Sequence, residues 1–152
     1  MTEHERWMEC AYREAVRAFE EDEVPVGAVI VFNGSIIAKG HNQVERLCDP
    51  TAHAEIIAVT AAASYLHSKW LEQCTAYVTL EPCVMCTGAM VLARIPTLVF
   101  GAYDPKAGAC GTLFNLSQEP KMNHRIHTAG GVLDEKCGAL LKEFFLKKRA
   151  KG

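Results

Sequence analysis

Four residues with metal-ligand or acid–base chemistry occur at two places in the chain. His53 and Glu55 are separated by one residue, and Cys83 and Cys86 form a Cys-x-x-Cys pair directly after Pro82. A structural zinc normally has four protein ligands, whereas a catalytic zinc has three and an open position for water. One histidine and two cysteines make three, so the pattern predicts a catalytic zinc site.

Glu55 is interpreted as the proton carrier of this site. Glu55 lies two residues after His53, so on a regular helix the two side chains point in different directions. We therefore do not expect Glu55 to be a fourth ligand. Bound zinc lowers the pKa of its water toward ~7, and a nearby carboxylate can take the proton. The resulting hydroxide attacks an electron-poor ring carbon, and Glu55 protonates the leaving amine. Histidine, glutamate and then Pro-Cys-x-x-Cys resemble the signature of the zinc deaminases, and this resemblance implies hydrolytic deamination.

Each half of the pattern also has a simpler interpretation. A lone helical histidine is usually a surface or core residue, and an isolated Cys-x-x-Cys can be redox-active, half of a four-cysteine zinc site, or packing. The conjunction of both halves, with Pro82 before the first cysteine and Glu55 at its offset, favours the catalytic zinc.

Hydrophobic periodicity and turn residues predict the elements that position these groups. We expect His53 near the start of one helix, running to about residue 64, and Pro82 in the first turn of another. Asn33-Gly34 predicts a two-residue hairpin turn. The other predicted elements are a helix over residues 3–19, strands over 24–32, 35–38, 76–80, 97–102 and about 125–128, a loop over 104–118, and a last helix over about 134–149.

This order predicts an α/β fold with three α/β/α layers and a mixed five-stranded sheet. The whole chain, residues 1–152, is expected to be one deaminase domain. In open sheets of this kind, ligands bind beyond the carboxyl ends of the strands, where both predicted zinc-bearing helices begin.

The composition predicts a globular cytoplasmic protein. Hydrophobic residues make up 49% of the chain and its mean hydropathy is +0.02. The first residues lack the pattern of a signal peptide, and no run of about 18 apolar residues predicts a membrane span. The seven cysteines are odd in number and scattered. They are expected to be reduced thiols rather than a disulfide framework.

The net charge of −2 conceals a gradient along the chain. Residues 1–23 hold eight acidic and three basic side chains, a net of −5, and residues 121–152 hold eight basic and three acidic, a net of +5. The cluster of Lys147, Lys148, Arg149 and Lys151 indicates a basic surface. Alternatively, these residues only complement the dipole of the last helix.

Sequence motifs along almost the whole chain resemble the bacterial tRNA-specific adenosine deaminases of the cytidine deaminase superfamily. This resemblance implies a cytidine deaminase-like fold and a cytoplasmic homodimer with one zinc per subunit. It also implies conversion of the wobble adenosine to inosine in the anticodon stem-loop of a tRNA, an arginine tRNA in this family. The matching segments are 23–28, 40–42, 49–55, 77–86, 94–96, 100–102 and 123–125.

The same resemblance implies residue roles. His53, Cys83 and Cys86 correspond to the zinc ligands and Glu55 to the general acid/base. Substrate-binding roles fall on Asn42 and Val26 at the base, Asp104 and Lys106 beside it, and Phe145 and Arg149 at the flanking nucleotides.

Simpler roles remain open for three of these positions. Asn42 could cap a loop, Asp104 could start a turn before Pro105, and Phe145 could belong to the core. Thr112 stands where the family usually has serine, which leaves the contacts of its loop open.

Two other functions also fit the sequence. A deaminase of a free base or nucleoside would use the same zinc ligands. A zinc-stabilised RNA-binding module without activity would need the ligands but not Glu55.

Overall fold

A mixed five-stranded sheet lies at the centre of the computed structural model, which describes residues 1–151. The strands are ordered β2-β1-β3-β4-β5; β1 is antiparallel to β2 and β3, whereas β3, β4 and β5 are parallel. The strands are β1 Gly27–Phe32, β2 Ser35–His41, β3 Cys74–Leu80, β4 Thr97–Ala102 and β5 His127–Ala129. The helices are α1 Glu3–Glu20, α2 Val44–Leu47, α3 Ala54–Leu66, α4 Val84–Leu92 and α5 Asp134–Lys151, with a 3-10 turn at Leu116–Gln118.

Helices cover both faces of the sheet, so alternate strand residues enter two hydrophobic cores. Ala28 and Ile30 of β1 pack in the core that contains α3 and α4. Val29 and Val31 pack on the opposite side, in the core that contains α1 and α5. Burial on both faces explains the nearly continuous apolar sequence of β1. The predicted three-layer α/β/α fold is confirmed.

The hairpin between β1 and β2 has the predicted turn. Asn33 and Gly34 both have positive φ, 51° and 74°, as a type I′ turn requires. The register pairs Phe32 with Ser35 and continues to Gly27 and His41. The second strand therefore ends at His41, three residues later than predicted.

The start of β1 differs from the prediction because of Pro25. The predicted strand begins at residue 24, whereas β1 begins at Gly27. Proline has no N–H to donate to a ladder, and the N–H of Val26 instead donates to the carbonyl of Val24 in a tight turn. Val24 and Val26 thereby leave the sheet before β1 begins.

Glycine allows β2 to lie very close to α3. A Cβ atom on Gly40 would collide with the backbone of Ala54 and Ala58. Because Gly40 lacks that atom, the end of β2 lies directly against the first turn of α3. This contact places the residues after β2 beside the start of the His53-bearing helix.

Pro82 lies outside the helix that the sequence assigns to it. α4 begins at Val84, with Cys83 in extended conformation as its N-cap. Pro82 therefore precedes the cap, and the prediction of a first-turn proline is wrong by two positions. Within residues 1–151, no helix combines the length and the apolar character needed to cross a membrane.

Candidate metal centre and substrate cleft

The three predicted metal ligands meet between the starts of α3 and α4. The Nδ1 atom of His53 lies 3.7 Å from Sγ of Cys83 and 3.5 Å from Sγ of Cys86. The donor atoms of all three residues lie within 4.8 Å of one another. Zn–N and Zn–S bonds of about 2.0 and 2.3 Å at tetrahedral angles require N–S separations of about 3.6 Å. The spacing and the donor set therefore fit zinc.

The order of the sheet explains why residues so distant in sequence converge. β2 and β3 both run antiparallel to β1, so their carboxyl ends share one edge of the sheet. From that edge the chain continues directly to α4 after β3, and through α2 to α3 after β2. His53 is the N-cap residue of α3 and Cys83 that of α4. The residues at the two helix starts thus face each other.

The two cysteines differ in how readily their thiols lose a proton. The hydrogen bond from Cys86, followed by that with His53, lowers the pKa of Cys83 to about 4. Donation of that hydrogen bond, together with burial, raises the pKa of Cys86. One thiolate therefore forms readily, while a second requires a compensating positive charge. A divalent cation supplies that charge, because metal binding displaces the thiol proton.

Glu55 lies on the first turn of α3 and lines the cleft together with His53 and Cys83. Only 5% of Glu55 is exposed. Burial raises the pKa of its carboxyl to about 7, with a further contribution from the charge on Cys83. A carboxyl group with such a pKa can both accept and release a proton near neutral pH. Its position and protonation suit it to general acid/base chemistry at the centre.

Asn42 connects the end of β2 to the start of α3. Its Oδ1 accepts the N–H of Ala54 at 2.7 Å. The side chain of His53 makes no such capping bond, so Asn42 satisfies the helix start while the imidazole faces the cysteines. The amide nitrogen of Asn42 has no hydrogen-bond partner among residues 1–151. Asn42 therefore caps the helix and also offers a donor to the cleft that it lines.

An open cleft of about 610 Å³ extends outward from the metal centre. Four of the six substrate-binding residues implied by the resemblance line it: Val26, Asn42, Asp104 and Phe145. The other two, Lys106 and Arg149, are exposed and lie outside the lining. Lys148 lines the cleft instead.

Phe145 is a surface aromatic residue rather than a core residue. Its side chain is 47% exposed at the cleft, whereas the neighbouring Phe144 is 6% exposed. The two rings pack edge to face with centroids 5.4 Å apart. Phe144 also contacts Phe19 of α1. Phe144 thus anchors α5, and Phe145 presents an aromatic face to the cleft.

Asp104 has the simpler role that its sequence context indicates, in addition to its place at the cleft. Its Oδ1 accepts the backbone N–H of Lys106 at 3.0 Å and of Ala107 at 3.2 Å. These bonds hold the turn that follows Pro105. Asp104 also lines the cleft.

Glu81 is a site-organising residue that the sequence analysis missed. Its buried carboxylate accepts the backbone N–H groups of Asp104, Cys110 and Thr112 and the hydroxyl of Thr112. Burial alone would raise the pKa of Glu81, but these hydrogen bonds outweigh it and lower the pKa. A Cβ on Gly108 would collide with the carboxyl group. Glu81 therefore holds the loop that carries Asp104 against the end of β3.

Only one weak signal in the sequence points to Glu81. It is an acidic residue at the end of a buried strand, where a carboxylate needs partners. Those partners lie 23 to 31 positions later in the chain, so periodicity cannot identify them.

Comparisons with known proteins give a consistent family assignment. The protein-family model for the cytidine and deoxycytidylate deaminase zinc-binding region matches residues 1–102. The tRNA-specific adenosine deaminase of Bacillus subtilis (strain 168) is 50% identical over 151 residues, which cover 99% of this chain and 94% of that protein.

Two solved structures mark the range of related activities. A chain from a study of A-to-I editing by tRNA:A34 deaminases at the wobble position of transfer RNA superposes with a TM-score of 0.86 and 40% identity, covering 89% of this chain and 98% of that one. Guanine deaminase from Nitrosomonas europaea superposes with a TM-score of 0.77 and 27% identity, covering 92% and 83%. The fold is thus shared by deaminases of tRNA and of a free base.

Proposed function

The chain belongs to the zinc-binding cytidine and deoxycytidylate deaminase family, and from this premise we propose that it converts the wobble adenosine of a tRNA anticodon to inosine. It is a zinc-dependent hydrolytic deaminase. The observation that carries the chemistry is the convergence of His53, Cys83 and Cys86, at separations that fit zinc, beside the buried carboxyl of Glu55. The choice of tRNA as substrate rests on full-length similarity to tRNA-specific adenosine deaminases.

When bound, zinc supplies Lewis acidity that makes a water molecule reactive near neutral pH. Glu55 accepts one proton from that water and delivers it to the ring nitrogen. Once the oxygen is bonded to C6, Glu55 takes the second proton from this hydroxyl and delivers it to the leaving amine. The water oxygen forms a bond to C6 of adenine, the bond between C6 and the exocyclic nitrogen breaks, and ammonia leaves a 6-oxopurine. His53, Cys83 and Cys86 hold the metal while Glu55 moves the protons.

The walls of the cleft receive a base that has been turned out of the anticodon loop. The free amide nitrogen of Asn42 donates to an acceptor on the edge of the purine, and Val26 packs against its ring. Phe145 offers an exposed ring for stacking of a neighbouring base. Asp104, Lys106 and Arg149 contact the flanking nucleotides, Lys106 and Arg149 from outside the cleft. In this arrangement the chain acts as one deaminase domain.

The main rival function is deamination of a free base, which the structural neighbour guanine deaminase performs. The zinc ligands cannot distinguish the two functions because both reactions use the same attack on an amidine carbon. The open cleft and the exposed Phe145 favour a substrate that extends beyond one base. A free base would leave this surface without a partner.

A direct assay separates these functions. Zinc-loaded enzyme is incubated with an anticodon stem-loop that carries adenosine at the wobble position, and in parallel with free adenosine, guanine and cytosine. We expect inosine in the stem-loop, detected by mass spectrometry, and ammonia release from the stem-loop alone. Turnover of guanine without inosine in the RNA would contradict the proposal.

We also propose that the protein acts as a homodimer in the cytoplasm. Val84 and Leu92 on α4 are 47% and 77% exposed, and Leu113 and Phe114 in the loop after β4 are 50% and 55% exposed. The 3-10 turn that follows this loop contacts α4. Exposed apolar side chains on adjacent segments are typical of a protein interface.

We propose an arginine tRNA as the substrate, and this proposal rests on the family resemblance.

A further inference from the structure

The cleft that should receive RNA is strongly acidic. Six of its lining residues are Asp or Glu: Asp22, Glu23, Glu45, Glu55, Glu81 and Asp104. Two of them, Glu23 and Glu81, are turned inward and accept backbone N–H groups. An RNA strand brings one negative charge per phosphate, so binding requires cations at the places where the backbone passes.

Lys148 is the cation in position to meet that backbone. Within residues 1–151, it is the only lysine or arginine among the residues that line the cleft. It also lines an adjoining groove of about 380 Å³ between the ends of α1 and α5, where Lys147 and Lys151 join it. Lys148 thus lies where the cleft meets a groove that carries three lysines beside Glu20 and Asp22.

Lys148 already has an anionic partner. Its Nζ donates to Oδ2 of Asp22 at 2.7 Å, across 126 positions of the chain. The carboxylate of Asp22 makes no other hydrogen bond in the described part of the chain. The two side chains are 45% and 67% exposed. An ion pair this exposed contributes little stability, so another anion can replace one partner at low cost.

The backbone of Asp22 holds the carboxylate in place. Asp22 has φ +62° in the turn after α1, and its N–H donates to the carbonyl of Phe19. Asp and Asn adopt this left-handed conformation more readily than most residues. The turn therefore places the backbone of Asp22 at the cleft that this residue lines, and its short side chain keeps the carboxylate near that place.

We propose that Lys148 binds an RNA backbone phosphate at the entrance of the cleft and that Asp22 is the resting counterion which this phosphate replaces. The inference rests on the proposed tRNA substrate and adds to it the site where the strand enters. The exchange keeps Lys148 paired in both states. Asp22 then acts as an internal competitor of the substrate.

The test is a double-mutant cycle on RNA affinity. Kd is measured by fluorescence anisotropy for the zinc-loaded protein and an anticodon stem-loop that already carries inosine, so that no turnover occurs. D22N keeps the size and backbone preference of Asp22 but removes the competing charge, and we expect about two- to fivefold tighter binding. K148Q should weaken binding by a similar factor. The negative slope of log K against log salt should become less steep by about 0.7, because one phosphate contact is lost.

The decisive result is how the two substitutions combine. The control is E45Q, which removes a charge at the cleft from a residue that has no ion-pair partner within residues 1–151. In the K148Q background, the gain in RNA affinity from D22N should shrink to the gain that E45Q gives. In the R149Q background, the gain from D22N should persist. Non-additivity with residue 148 alone identifies the exchange.

Two failures are distinguishable. If the wild type forms no inosine in the adenosine stem-loop, the proposed function is wrong. If the wild type is active but K148Q binds RNA as the wild type does, or D22N keeps its full gain in K148Q, the exchange is wrong and the pair only attaches α5 to the turn after α1.

Discussion

The hydroxyl of Thr112 donates a hydrogen bond to Oε1 of Glu81, 31 positions earlier in the chain. Thr112 stands where the family resemblance leads one to expect serine. Both residues carry a hydroxyl at the same place, so the departure preserves the contact that holds the loop. The contact between this loop and Glu81 is therefore formed, with threonine as the donor.

The first prediction tests this contact by comparing T112S with T112V. T112S keeps the hydroxyl and should match the wild type. T112V removes a donor from the buried carboxylate and should lower the free energy of unfolding by about 1 kcal/mol. Urea denaturation with saturating zinc measures the difference. Equal stability of all three proteins would mean that the backbone N–H groups alone satisfy Glu81.

The second prediction concerns the proton carrier. The glutamine side chain of E55Q has the shape of glutamate but cannot accept the water proton. The rate of deamination should therefore fall by about 10²–10⁴-fold. Zinc content and thermal stability should be retained, because Glu55 is not a ligand. If E55Q deaminated the substrate as fast as the wild type does, the proposed mechanism would be wrong. If the wild type bound zinc but had no activity, the alternative of an RNA-binding module would be favoured.

The third prediction concerns the metal. H53A and C83A should each lose zinc and deaminase activity together, since three protein ligands leave none to spare. The zinc content is measured by inductively coupled plasma mass spectrometry, with C48S as a control at an exposed cysteine outside the cleft. Chelation of the wild type should abolish activity, and added zinc should restore it. Stoichiometric zinc in H53A or C83A would refute the ligand assignment.

The fourth prediction separates the two adjacent phenylalanines of α5. F145A removes an exposed ring, so it should leave stability unchanged but lower kcat/KM on the stem-loop, because base stacking contributes about 1–3 kcal/mol. F144A removes a buried ring and should lower the free energy of unfolding by about 3 kcal/mol. Paired thermal melts and kinetics make the comparison. A stability loss in F145A without a kinetic effect would return it to a packing role.

The fifth prediction tests the proposed homodimer. L92E places a charge on the apolar surface of α4, where burial against a second copy would be costly. Multi-angle light scattering should give a dimer for the wild type and a monomer for L92E. E135Q, a change of charge at an exposed residue of α5, is the control and should remain dimeric. A dimeric L92E would place the interface elsewhere.

The sequence predicted those parts of the site that depend on local patterns. The segment after His53 predicts a helix because it is rich in alanine and isoleucine and free of glycine and proline, and Pro82 predicts a helix start at Cys83. Both His53 and Cys83 are N-caps. The hairpin at Asn33-Gly34 follows from backbone preferences of these two residues. The helix α2 was not predicted, because four residues are too few to show a helical period.

Features that depend on distant contacts could not be predicted in the same way. Glu81 organises a loop through partners that only the folded chain brings near it. The choice of Lys148 rather than Arg149 at the cleft depends on the rotation of α5 about its axis, since successive helical residues point in directions about 100° apart. That rotation is set by the packing of Phe144, which a charge count along the sequence does not reveal.

The antiparallel hairpin also separates two ends of the molecule. β1 begins at the edge of the sheet where the cleft opens and ends at the opposite edge, at the Asn33-Gly34 turn. Asn33, Gly34 and Ser35 are all exposed. This turn therefore offers an attachment point for a fluorophore or an affinity handle, from which an added label would extend away from the bound nucleic acid.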